Sequence, residues 1–149
     1  MKNEELKDQI KMIDISDKKF TGRTAVASVK VTAQAGLIKK IKNGKLPKGD
    51  CLAAAKIAGI LAAKNTSSII PLCHPLQLAH VDMCFEFTRG ALTIISVAKA
   101  HYATGVEMEA LTACAVAALT VYDMAKTEEK NIVITDLKLL KKTGGKKDI

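Results

Sequence analysis

Tryptophan is absent from the 149-residue chain, and aromatic residues make up only 3% of it. That scarcity leaves little with which to stack bases on a sheet, the way RNA-recognition domains read single strands. The four cysteines, Cys51, Cys73, Cys84 and Cys114, include no C-x-x-C pair. Their spacing argues against zinc and against a disulfide framework, and suits reduced thiols in a cytoplasm. No apolar run approaches the roughly 20 residues that span a bilayer. The opening MKNEELKDQIKMIDIS is charged throughout and lacks the apolar core of a signal peptide. Neither a P-loop nor a strand-borne G-x-G-x-x-G occurs. The expectation is a soluble, cytoplasmic chain with no membrane partner.

What is present is 48% hydrophobic and 26% charged, with 23 lysines and arginines against 15 acids and a net charge of +8. This length is most simply one domain with a real core. The basic balance suits an anionic partner: nucleic acid, a membrane surface or a phosphorylated small molecule.

Residues 1–22 read as a polar lead-in ending in the turn-like FTGR. TAVASVKV, up to Val31, alternates as a strand. AGLIKKIKNG has the helical spacing of Leu37, Ile38 and Ile41 and stops at Asn43-Gly44. Asp50 is an N-cap candidate for CLAAAKIAGILAAK, which is apolar nearly all round and therefore expected to be buried. Prolines at 71 and 75 keep SIIPLCHPLQ out of any helix interior. LAHVDMCFEF and ALTIISVAKAHY form a hairpin about Arg89-Gly90. TGVEMEALTACAVAALTVYDMAK, 104–126, is the third long helix, and NIVITDLKLL a last strand. The order β-α-α-β-β-α-β predicts an α+β, ferredoxin-like subunit: a four-stranded antiparallel sheet with helices on one face. A single ferredoxin-like domain is expected over 23–140, with 141–149 a basic tail hinged at Gly144-Gly145.

The third helix poses the functional question, because its middle is small and apolar while charge sits at its tips. Thr104 and Glu107 have the form of a capping box, with Thr104 as N-cap. Glu109 is not needed for that box, although the helix dipole favours an acid in the first turn. At the far end Asp123 and Lys126 are neighbours on the helix surface. The bland reading is a solvated ion pair, yet an acid near a helix C-terminus opposes the dipole. Glu109 and Asp123 are separated by about 21 Å along such a helix, so no compact metabolite touches both within one chain. A site using both must lie between subunits, head to tail, as an isologous dimer builds it. Lys48, at the mouth of a buried helix, and Lys64 stand out among the cations. His74 between two prolines is read as acid, base or phosphate ligand rather than metal ligand, since Cys73 and His74 are adjacent, the wrong spacing for joint ligation. No metal and no cofactor are expected.

MIDISDKKFTGRTAVA, KGDCLAAAKIAGILAAK, SSIIPLCHPL, TGVEMEALTACAVAALTVYDMAK and LLKKTGGK, in this order, resemble the MoaC family over about Met12 to Lys146. The resemblance implies a hexamer, a trimer of dimers, with sites at the dimer interface. It implies conversion of a 3′,8-cyclised dihydro-GTP, made by an upstream radical GTP cyclase, to cyclic pyranopterin monophosphate. Pyrophosphate leaves in this step of molybdenum cofactor biosynthesis. Carried over, the motif positions make Asp123, Lys126 and Lys48 catalytic, and Leu72, Cys73, His74, Glu107, Met108, Glu109 and Lys142 substrate-binding. On this view Lys126 and Lys48, with pKa values lowered by each other or by burial, shuttle protons. The glutamates hold the guanine-derived edge, and His74 and Lys142 bind phosphate. The chain departs from the family pattern at Asn65, at Ala125, at His101-Tyr102-Ala103 and in its tail, all of which spare these acids and bases. The rival is an RNA-binding module on the same scaffold. It requires an RNP1-like strand, and MCFEFT lacks that strand's glycines.

Overall fold

A computed structural model describes residues 9–149; the first eight residues of the charged lead-in lie outside the described residues. The order is β1 (Thr21–Thr32), α1 (Ala35–Lys42), α2 (Cys51–Lys64), α3 (Thr66–Ile69), β2 (His80–Thr88), β3 (Ala91–Tyr102), α4 (Glu107–Ala125) and β4 (Val133–Thr143). The strands form one antiparallel sheet in the order β2-β3-β1-β4. This is the ferredoxin-like arrangement, with α1 to α3 sharing the first crossover and α4 forming the second.

Period-two alternation in β1 turns Ala25, Ala27, Val29 and Val31 to the interior, where α4 packs across them. Leu92, Ile94, Ala98 and Ala100 of β3 extend the same buried face. The β2–β3 hairpin turns at Arg89-Gly90, with Thr88 opposite Ala91. In α1, Leu37, Ile38 and Ile41 face the core, and Asn43 caps the end before Gly44 at φ 64°. The Asp50 side chain accepts from the Ala53 N–H at 3.0 Å, capping α2 as its sequence suggests. One turn, α3, is too short to leave a periodic signal.

Several local expectations fail. Val106, not Thr104, is the N-cap of α4, and no side chain caps it. The second concerns α2, which is buried on one side only, through Cys51, Ala55, Gly59, Ala62 and Ala63. Ile57 and Leu61 remain 61% and 53% exposed. Small residues let that inner side approach α4 closely: a Cβ on Gly59 would lie 2.9 Å from the Ala113 carbonyl oxygen. α4 is also long and apolar enough to cross a membrane by length and composition, contrary to the reading of the linear sequence. Yet 56% of that stretch is buried, as befits a core helix lying on a sheet.

β4 runs three residues beyond the expected strand and carries Lys141 and Lys142 into the sheet. The following residues curl back, with Lys142 and Ile149 exchanging backbone hydrogen bonds of 2.9 and 2.8 Å. Gly144 turns this loop at φ 91°, and its carbonyl accepts from Thr21 Oγ1 at 2.7 Å. A Cβ there would come within 2.9 Å of the Gly22 carbonyl carbon, so only glycine fits both the backbone and the space.

Candidate active site

Two clusters form at opposite ends of α4. At its head, Glu107 is the first helical residue. Its Oε1 accepts from Lys142 Nζ at 2.8 Å across to β4. This pairing replaces the expected capping box, because a charged partner in a neighbouring strand outbids a local backbone N–H. Glu107 Oε2 is buried and, among the described residues, has no hydrogen-bond partner. Glu109 is 4% exposed. Burial first, and then the charge of Glu107, raise its pKa. Burial, followed by the charges of Glu109 and Glu107, likewise raises the pKa of Cys73 and keeps it a thiol.

The proline-bounded loop 71–75 brings Leu72, Cys73 and His74 against Met108 and Glu109, around a cavity of about 250 Å³. The extended segment before β1 covers this cavity. His74 Nε2 lies 2.7 Å from the Ile13 carbonyl oxygen, so that nitrogen donates to the backbone. His74 is thus first a clasp for the covering segment, and its other ring nitrogen is the one left for a ligand.

Beside this cavity opens a groove of about 860 Å³ whose lining, among the described residues, sets Lys18, Lys19, Arg23, Lys142, Lys146 and Lys147 against Asp17 and Glu107. The two spaces share Lys18, Thr104, Gly105 and Glu107. The Arg23 guanidinium is aimed by hydrogen bonds from Nε to the Tyr102 carbonyl at 3.3 Å and from Nη2 to the Ala103 carbonyl at 3.2 Å. Lys18, Lys19 and Arg23 line this groove, and motif reading passed over them. They sit in DKKFTGR, and nothing local separates them from the chain's other surface cations. An apolar, acid-lined cavity opening onto a cationic groove suits a ring with N–H donors that carries several phosphates.

At the tail of α4, Lys126 Nζ lies 2.7 Å from Asp123 Oδ1. Lys48 Nζ lies 3.2 Å from Asp123 Oδ2 and 3.0 Å from its carbonyl oxygen. Lys48 is presented by the turn that Leu46 and Gly49 close before α2. Hydrogen bonds from Lys126 and then Lys48 hold the Asp123 carboxyl below its usual range. Asp123 in turn raises the pKa of Lys126. The expected lowering of Lys126 is therefore overturned. The group is open to solvent, so little desolvation opposes the pull of its carboxylate partner.

The fold thus gathers Leu72, Cys73, His74, Glu107, Met108, Glu109 and Lys142 at one end, and Lys48, Asp123 and Lys126 at the other. It does not bring the two sets together within one chain. Among the described residues, no three His, Cys, Asp or Glu side chains converge as a metal-binding group. Phe85 and Phe87 pack against the core rather than lining an open platform.

Fold and site together define a ferredoxin-like α+β protein with a cavity and groove fitted to a small anionic molecule. The chain belongs to the MoaC family, whose model matches residues 12–145. Its relatives include proteins named cyclic pyranopterin monophosphate synthase. The one from Desulfitobacterium hafniense is 50% identical over 137 residues, covering 91% of this chain and 84% of that protein. The one from Heliobacterium modesticaldum is 49% identical over 138 residues, covering 91% and 87%. The one from Bacillus mycoides is 51% identical over 140 residues, with the same coverage.

Proposed function

We infer that this chain catalyses the reaction its relatives are named for, the synthesis of cyclic pyranopterin monophosphate in the molybdenum cofactor route. The substrate is the 3′,8-cyclised dihydro-GTP from an upstream radical GTP cyclase, and pyrophosphate is the leaving group. The observation that carries this reading is the junction of the acid-lined cavity with the cationic groove at Gly105 and Glu107. Glu109 and Glu107 meet the N–H edge of the guanine-derived part, beside Leu72, Cys73 and Met108. Lys142, Arg23, Lys18 and the lysines of the closing loop receive the phosphates, with His74 at their border.

Lys48, Asp123 and Lys126 complete the site from a second copy of the chain. Two observations support this. The clusters stand about 21 Å apart along one helix. The two helices α2 and α4, packed against each other, leave large apolar side chains uncovered, Ile57 and Leu61 on α2 and Leu119 and Tyr122 on α4. A dimer closed over these helices forms two sites, and the full assembly is a trimer of such dimers in the cytoplasm. Lys126, held protonated by Asp123, gives up a proton to a nitrogen or oxygen released as the purine-derived ring opens. Lys48 stabilises developing negative charge nearby. No metal and no organic cofactor is required by these residue roles.

The test is purified protein with the cyclised dihydro-GTP, followed for pyrophosphate and product. Turnover that Lys126→Ala abolishes supports the reading. Inactive, fully assembled protein that instead binds RNA tightly overturns it.

A further inference from the structure

We propose that Gly105 is a positioning residue: its missing side chain is what lets the Glu107 carboxylate lie back over the approach to α4 and hold Lys142. A Cβ at Gly105 would overlap Glu107 Oε2 and come within 3.0 Å of Cδ and 3.2 Å of Oε1. The three nearest atoms all belong to that one carboxylate, and Gly105 is not among the glycines with positive φ. The chain therefore needs glycine here for the sake of one carboxylate, not for the backbone. What would have to move on substitution is the far end of a flexible side chain, so the fold tolerates alanine while the carboxylate is displaced.

That displacement matters because of where the pair stands. Lys142 is held opposite Ala25 on one side, and its backbone bonds to Ile149 on the other. Its ammonium therefore has a fixed origin, and the carboxylate is the adjustable half. Glu107 borders both the cavity and the groove. Swinging it off Lys142 changes the charge facing phosphate and the acceptor facing the ring at once. The effect on turnover rests on the function proposed above; the effect on the ion pair does not.

Two measurements separate these. In the unaltered protein, the Tm losses of Glu107→Ala and Lys142→Met combine subadditively, by about 2–4 °C, because each removes the same charge-assisted bond. In the Gly105→Ala background the two losses become additive. Meanwhile Gly105→Ala lowers kcat/KM about tenfold or more. Coupling that survives alanine at 105, or no coupling in the unaltered protein, overturns the inference whatever turnover does. Full turnover in Gly105→Ala with the coupling lost would overturn the importance of the contact for catalysis. Absence of turnover in unaltered protein would instead sink the functional reading and leave the coupling test intact. Should Gly105→Ala misfold, Gly105→Ala/Glu107→Ala relieves the overlap and restores folding; continued misfolding overturns the inference.

Discussion

Mixing two dead enzymes offers the sharpest check on a site shared between chains. Glu109→Ala removes a carboxyl at the head of α4, and Asp123→Ala removes the one that binds both tail lysines. Each homodimer then has two broken sites. In a mixed dimer one site takes both lesions, while the other joins an intact head to an intact tail. Random exchange at equal amounts makes half of all dimers mixed, each with one working site, so activity returns to about a quarter of the wild-type value. Recovery follows the product of the two fractions, peaking at equal mixing and vanishing at both ends. The converse experiment mixes the double variant with wild-type chains. Shared sites then retain about a quarter of the activity at equal amounts, where self-contained sites would retain about half. Exchange is confirmed by native mass spectrometry of isotopically marked chains, and activity is read as pyrophosphate released. No recovery at any ratio despite proven exchange, together with half activity in the converse mixture, refutes the two-chain site. The reason to expect recovery is geometric: about 21 Å separates the two carboxylates along a rigid helix, more than one nucleotide-sized ligand bridges with catalytic contacts at both ends.

Asp123→Asn removes the carboxylate that raises Lys126. Lys126 then loses its proton at lower pH, and the alkaline limb of the kcat profile shifts downward. Burial makes Glu109 bind its proton more tightly folded than unfolded, so it opposes folding increasingly as pH rises from the ordinary carboxylate range through its raised value. Glu109→Gln therefore raises Tm at neutral pH, loses that advantage in acid, and abolishes turnover; an unchanged neutral Tm would contradict this. Gly144→Ala forces a side chain into a positive-φ position against Gly22, and costs about 1–3 kcal/mol by denaturant titration. It also weakens pyrophosphate binding, since Lys146 and Lys147 belong to the loop that Gly144 turns.

Local signals in the sequence foretell the main helices and strands, though not α3, the start of β1, the Val106 cap of α4 or the far end of β4. Alternation in TAVASVKV, the spacing of Leu37, Ile38 and Ile41, Asp50 before α2 and Arg89-Gly90 in the hairpin are local signals. Each acts within one or two turns of chain, where neither topology nor partner intervenes. The charged tips of α4 were equally legible, because a helix fixes the separation of its own residues. Tertiary structure decided what those tips touch. Glu107 meets Lys142 from a strand 35 residues away, and Lys48 meets Asp123 across 75 residues; sheet register and helix docking set both. That is why the Thr104–Glu107 capping box yielded to a salt bridge, whereas the partner that raises Lys126 stands three residues away on the same helix. Packing likewise places Lys18, Lys19 and Arg23, ordinary cations until the covering segment, β1 and the closing loop line them along one groove. Charge and periodicity belong to a sequence, whereas the convergence of charges belongs to the packing that buries its apolar faces.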